Sequence, residues 1–205
     1  MYRGERFNGI SHLAGAVLAT IGTAVLAVLA ARTADPWRIV AVSVFGATLI
    51  FLYTASTIYH SLRGRAKNVL RKLDHCAIYF LIAGTYTPFC LVTLRGPLGW
   101  TFFGLAWGLA LVGVVQEFIF GKGRRVLSVV IYVCMGWMGV FLVSPLTAGL
   151  GVRGLALVLG GGVLYTGGIV FYSFDERIRH FHGIWHLFVL AGSLAHFLAI
   201  AIYVV

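Results

Sequence analysis

Apolar positions along this chain run in seven long stretches with few polar interruptions. Residues 7–31, 39–62, 75–94, 96–116, 126–152, 154–174 and 180–205 contain no Asp, Glu, Lys or Arg. Each is at least roughly 20 residues long, about what a helix needs to cross the hydrocarbon core of a bilayer. The pattern predicts an all-α membrane protein, a single domain over 1–205 built as a bundle of seven transmembrane helices. The expected spans are approximately 9–31, 39–60, 74–94, 98–120, 126–146, 153–173 and 183–204, with little chain left for a soluble domain. Pro88 and Pro145 fall inside the third and fifth spans. Both are expected to kink their helices, with neighbours satisfying the freed carbonyls. The runs Gly160-Gly161-Gly162 and Gly167-Gly168 place small residues on the sixth helix, where they favour close helix packing.

Composition agrees with lipid as the solvent. The chain is 60% hydrophobic and only 11% charged, with a mean hydropathy of +0.94, whereas soluble domains carry about 25% charged residues. The formal charge of +10 raises the question of nucleic acid. The basic residues lie in short loops and form no basic face, so no nucleic-acid partner is expected. They set topology instead. Arg3, Arg6, Arg63, Arg65, Lys67, Arg71, Lys72, Lys122, Arg124, Arg125, Arg177 and Arg179 fall on one side, and only Arg32, Arg38, Arg95 and Arg153 on the other. By the positive-inside rule the N-terminus is cytoplasmic and the C-terminus outside, in the inner (plasma) membrane. Met1–Ala31 has the basic start of a signal peptide, but Ile10–Ala31 exceeds an h-region of about 7–15 residues, so it reads as the first helix. Cys76, Cys90 and Cys134 lack disulfide or CxxC spacing and are expected to pack as small apolar residues. Trp37, Trp100 and Tyr172 near span ends read as interfacial belts.

Ionisable residues within spans are costly and each needs a reason. The topology sets His12, His60, Asp74, His182 and His186 at one depth, the cytoplasmic ends of four helices. His182 and His186 are spaced i, i+4, so they share a helix face, the arrangement of helical HxxxH metal motifs. His60 from another helix would make three ligands, the number typical of catalytic zinc with a fourth position open. Asp74 could ligate the metal, or hydrogen-bond a water on it and take its proton. Ser56, one turn from His60, could donate to a developing oxyanion. His12 is most simply a supporting partner behind the ligands. His75 points about 100° away from Asp74 around the helix and reads as interfacial. His196 lies about 15 Å deeper than His186, so a buried interhelical hydrogen bond is expected. Glu117 reads first as a cap on helix 4 near the cytoplasmic surface, with a position facing the bundle as the alternative.

The same residues carry a recognisable pattern. Glu5-x-x-Asn8-x-x-x-His12 opens helix 1, Ser56-Thr57-Ile58-Tyr59-His60 closes helix 2, Leu73-Asp74-His75-Cys76-Ala77-Ile78-Tyr79 leads into Gly84-Thr85-Tyr86-Thr87-Pro88-Phe89 on helix 3, and His182-Gly183-Ile184-Trp185-His186-Leu187-Phe188 starts helix 7. Together they resemble the bacterial hemolysin III family, which is related to the progestin and adipoQ receptors, including the adiponectin receptors, and more distantly to alkaline ceramidases. The resemblance spans essentially the whole chain. It implies a seven-helix bundle with Zn2+ near the cytoplasmic face, held by His60, His182 and His186, with Asp74 acting through the metal's water and Ser56 close by. Cys76 stands where relatives often have serine. The receptor relatives carry a long N-terminal soluble region without a counterpart here, so a receptor for a protein hormone is not expected.

Four functions compete at this point. The first is a zinc-dependent hydrolase of lipid amides or esters, ceramide-like or fatty-acyl, acting in membrane lipid homeostasis. The second is a non-catalytic sensor or regulator in which zinc staples helices 2 and 7. The third is cytolysis, as the family name suggests, through membrane perturbation rather than a secreted pore. The fourth, a transporter, lacks an evident inverted repeat or acidic relay. Membrane lipids are the expected partners in each case.

Overall fold

The computed structural model describes residues 1, 3–120 and 125–205. Lys122 and Arg124, two of the basic residues used for topology, lie outside the described residues. The described chain is helical, with no β-strand. After a 3₁₀ turn at Arg3–Glu5 come α1 (Arg6–Arg32), α2 (Pro36–Ser61), α3 (Arg65–Pro88), α4 (Pro97–Phe120), α5 (Arg125–Trp137), α6 (Val143–Ser173) and α7 (Phe181–Tyr203). Among the described residues, six helical runs are long and apolar enough to cross a membrane.

Local chemistry explains where these helices begin and break. Asp35 caps α2 by accepting a hydrogen bond from the Trp37 N–H at 3.0 Å, with Pro36 in the first turn. An N-cap carboxylate satisfies a donor that the helix cannot, and proline suits a first-turn position that lacks a bonding partner anyway. Pro88 ends α3, and the backbone continues as a π-helix over Phe89–Thr93. The ring cannot donate to the helix ladder, so the hydrogen-bond register slips. Helix α5 likewise passes into a 3₁₀ segment, Met138–Leu142, just before Pro145. Tyr86 on α3 repairs that junction. Its hydroxyl donates to the carbonyls of Met135 and Gly136, each at 2.9 Å, and accepts from the Gly139 N–H at 2.7 Å. The helical ladder is thus interrupted close to both prolines, and at the α5–α6 junction a side chain from a neighbouring helix partners the freed backbone groups of Met135, Gly136 and Gly139.

The last apolar run, Val126–Ser173, is 48 residues long. A straight helix of that length would extend about 70 Å, more than twice the roughly 30 Å of hydrocarbon in a bilayer. It is not straight, because Gly151 leaves helical geometry at φ 68°, ψ 172°. Only glycine takes that conformation without strain, so this residue divides the run into two helical pieces.

Large apolar side chains such as Leu18, Leu111, Ile119, Val163 and Ile202 point outward. In water so many would form a liability; against lipid they are the solvent-matched surface. Inside, Leu26, Phe45, Leu52, Tyr53, Leu142, Leu146 and Ile200 form the main core. Helix α7 packs on α6 and α1, closing the bundle. Buried polar groups in the middle of the bundle find one another: Tyr53 donates to Ser193 at 2.8 Å, Tyr165 pairs with Ser193 at 2.7 Å, and His196 Nε2–H reaches the Val158 carbonyl on α6 at 2.9 Å. The His196 contact is the interhelical bond expected of it.

Charges collect at the two ends. At one, Arg95 pairs with Asp35 at 2.9 Å, Arg38 hydrogen-bonds the Val205 carbonyl at 3.0 Å, and Trp37 meets Trp100 edge-on. At the other lie Glu5, His60, Lys67, Asp175 and His182, joined by ion pairs. Two expectations need correction. Cys134 is exposed on the apolar surface rather than packed inside, whereas Cys76 and Cys90 are buried. Tyr172 is not a belt residue. It is buried, because the bulky Trp185 ring on α7 lies over it at 4.5 Å between centroids.

Candidate metal centre

Two helix ends converge to build the site. His60 is in the last turn of α2, and the start of α7 brings His182 and His186. One potential ligand atom from each lies within 4.8 Å of the others, close enough for a single ion to be shared. The ring centroids of His182 and His186 are 4.7 Å apart, and those of His60 lie 5.0 and 5.2 Å from them. The i, i+4 spacing sets the first distance, and the packing of α2 near α7 sets the others.

The second nitrogen of each ring identifies what the first is for. His60 Nδ1 meets Glu5 Oε2 at 2.6 Å, and His182 Nδ1 meets Asp175 Oδ2 at 2.6 Å. His186 Nδ1 is 3.1 Å from both the Asn8 carbonyl and Ser11 Oγ. The Ser11 hydroxyl proton is already committed to the Asn8 carbonyl at 2.9 Å. All these partners accept, so each Nδ1 carries the proton and each Nε2 keeps a lone pair. The three Nε2 atoms are buried with no hydrogen-bond partner among the described residues. Buried polar atoms are normally satisfied, and an acceptor-oriented imidazole with a free opposite nitrogen is how proteins present histidine to a metal. The donor set therefore fits a metal ion.

Glu5 is itself held in place. Beyond His60 it accepts from Lys67 Nζ at 2.9 Å and Asn8 Nδ2 at 2.8 Å. Burial opposes its ionisation, but the bonds from His60, Lys67 and Asn8 outweigh that and keep its carboxyl far below the usual carboxylate range. Glu5 thus stays anionic at any physiological pH.

The remaining expected residues are placed as follows. Asp74 is buried and lines the same cavity as His60 and His182. Ser56 lies beside the Asp74 carboxylate and is only 1% exposed. His12 does not hydrogen-bond a ligand. Its ring stacks on His186 with centroids 3.5 Å apart and planes 9° off parallel, and neither of its nitrogens has a hydrogen-bond partner among the described residues. His75 and Glu117 depart from their expected roles. Glu117 is 1% exposed and pairs with His75 Nδ1 at 3.0 Å, with Ser128 Oγ at 3.3 Å. Helix α5 covers Glu117, so it faces inward instead of capping α4, and His75 turns to it rather than to an interface.

Sequence reasoning missed the carboxylates behind the ligands. Glu5 carried no role beyond the motif, and Asp175 was not singled out. An acidic pair, Asp175-Glu176, opening a loop that is otherwise basic, a few residues before the HxxxH pair, was the available signal for Asp175.

Two cavities meet at the centre. An open vestibule of about 740 Å³ is lined by polar residues including Glu5, His60, Arg71, Glu117, Asp175 and His182. A narrower cavity of about 160 Å³ runs inward between Leu81, Phe89, Val140, Leu146, Val158 and Val189. Asp74, Tyr172 and Trp185 line both.

Fold and site together define a multi-pass helical membrane protein with a buried histidine triad that can hold a metal at one end of its bundle. The model of the haemolysin-III related family matches residues 1–197. The chain is 42% identical over 202 residues to the Hemolysin-3 homolog of Bacillus subtilis (strain 168), covering 98% of this chain and 94% of that one. It is 40% identical over 201 residues to Hemolysin-3 of Bacillus cereus, with 98% and 91% covered. It is also 30% identical over 200 residues to the human Monocyte to macrophage differentiation factor, with 94% and 81% covered. The chain belongs to the haemolysin-III related family.

The carboxylates behind the triad give a first expected outcome. Asp175→Asn and Glu5→Gln each retain an acceptor oxygen but lose the charge that makes the ligand imidazole more basic. Each should weaken metal binding about 10–100-fold, measured by competition with a chromophoric chelator. Metal affinity within twofold of wild type in both variants would show that these carboxylates do not act through the triad.

Proposed function

We propose that this protein is a zinc-dependent hydrolase of lipid amides or esters that works from the cytoplasmic side of the plasma membrane. In this reading it crosses the bilayer seven times, Gly151 separating the fifth and sixth crossings, with its N-terminus and metal centre cytoplasmic. The length of the Val126–Ser173 run and the bias of basic residues support that topology.

One observation carries the functional reading: the Nε2 atoms of the triad have no partner among the described residues, and two of the rings, His60 and His182, line a polar vestibule that also presents a buried carboxylate, Asp74, where it joins an apolar cavity. A staple needs ligands, but it does not need an adjacent buried acid or a way in for an apolar chain. Zinc held by three histidines supplies a Lewis acid and lowers the pKa of bound water to about 7. His60, His182 and His186 are the ligands, each fixed in its tautomer by the acceptor at Nδ1. Asp74 is the general base: a carboxylate oxygen takes the proton from the attacking water and returns it to the leaving amine or alcohol oxygen. Ser56, beside Asp74, donates to the charge developing on the scissile carbonyl oxygen. Tyr172 and Trp185 guide the acyl chain into the inner cavity and keep bulk water from it.

The test is turnover by the purified, zinc-loaded protein in mixed micelles, with ceramide-like, acyl-amide and acyl-ester lipids supplied in turn. At least one should release fatty acid, and chelation should abolish the release. A zinc-replete protein that cleaves none of the three would favour the regulator reading, in which the metal only ties α2 to α7.

A further inference from the structure

The vestibule contains two cations that nothing engages. Arg71 and Arg179 both line it. Neither makes a hydrogen bond or ion pair among the described residues, and Arg71 Nε is buried without a partner. The vestibule also presents carboxylates: Glu5 is held by His60 and Lys67, Asp175 by His182 and Glu117 by His75, with Asp74 and Glu176 in the same lining.

Arg71 was counted as a loop residue that only sets topology. The structure puts it on a helix instead, because α3 starts at Arg65, well before the apolar stretch. That places Arg71 three and four residues before Asp74 and His75, on one helix face. Arg179 stands just before the first turn of α7, three residues before His182. The two guanidinium groups thus come from the segments that carry the base and the ligands.

We propose that Arg71 and Arg179 bind the phosphate of a lipid headgroup in the vestibule, so that the preferred substrate of the site is a phosphate-bearing acyl lipid rather than a neutral one. This rests on the hydrolase reading for the word substrate, but not for the binding. A guanidinium presents paired N–H donors that match two phosphate oxygens. Two of them, Arg71 half-buried and Arg179 exposed at the rim, favour a group carrying more than one anionic oxygen. The vestibule opens into the apolar cavity through Asp74, Tyr172 and Trp185, so an anion seated here can remain attached to an acyl chain lying in that cavity. A neutral headgroup would leave the buried Arg71 Nε without an acceptor.

Binding can be read without turnover. The full-length protein in a neutral detergent is titrated with oleoyl lysophosphatidic acid, monoolein, oleate and inorganic phosphate, following tryptophan fluorescence, since Trp185 borders both cavities. Lysophosphatidic acid should bind at least tenfold tighter than monoolein or oleate, and inorganic phosphate at least a hundredfold more weakly than the lipid. The Arg71→Gln/Arg179→Gln double variant should lose the preference over monoolein while binding monoolein as wild type does, which also reports that it is folded. The Arg71→Lys/Arg179→Lys variant should retain part of the preference. Equal affinity for lysophosphatidic acid and monoolein, or a preference that survives the Gln substitutions, would overturn the proposal. Oleate binding as tightly as lysophosphatidic acid would replace phosphate by carboxylate, and inorganic phosphate binding as tightly would make it a free-anion site; either result also overturns it. Lack of hydrolysis in the turnover assay, with the phosphate preference intact, would count against the hydrolase reading alone.

Discussion

His182→Ala and His186→Ala each empty the metal centre: elemental analysis of the purified variants should find less than about a tenth of the wild-type metal. The expected loss exceeds the 10–100-fold typical of disturbing a ligand's supporting partner, because a bonding nitrogen is removed outright. Two of three protein ligands cannot close around one ion against competing water. Each substitution also removes a donor from the group that faced the ring, the Asp175 carboxylate in one case and the Asn8 carbonyl in the other, so some loss of stability accompanies it. His186→Gln separates the two effects. It keeps a polar side chain of similar reach but offers a poor ligand, so a folded variant without metal is the expected outcome. Wild-type metal content in both alanine variants would overturn the assignment of the triad.

Asp74→Asn gives the opposite combination. Metal content should match wild type, while lipid hydrolysis falls about 10²–10⁴-fold, the usual contribution of a positioned general base. The amide is nearly the same shape, sits in the same buried place and cannot accept the proton. Metal analysis and turnover on one preparation make the test. Undiminished turnover would exclude Asp74 as the base, whereas loss of both metal and turnover would make Asp74 a ligand. In the regulator reading the variant keeps both its metal and its biological effect.

Some of this was legible in the chain because it depends on composition and local spacing. Uncharged stretches of crossing length announce membrane helices, since lipid admits few charges and no unpaired backbone. Helix geometry puts His182 and His186 on one face whatever surrounds them. His60 and Asp74 could join them on paper because short loops force successive helix ends to alternate between two sides. Such depth arguments fix a level but not a direction around the helix. Glu117 illustrates the limit: its position at the end of α4 suited a cap, and only the covering α5 turned it toward His75. Tyr172 is similar, an interfacial aromatic by position and a cavity wall once Trp185 packs on it. Arg71 looked like loop charge because the apolar stretch starts after it, but a helix can run past the lipid boundary, and α3 does.

The sequence by itself therefore determined that this is a helical membrane protein, identified its family resemblance, and named the histidines that can hold a metal. Those conclusions follow from hydropathy, helical periodicity and motif, which are properties of neighbouring residues. The tertiary structure alone decided which nitrogen of each histidine is free, that Glu5 and Asp175 lie behind His60 and His182, that His12 stacks rather than bonds, and that two cavities meet at Asp74. Each of these depends on side chains from helices distant in sequence meeting at particular angles, and no spacing along the chain encodes an angle between helices.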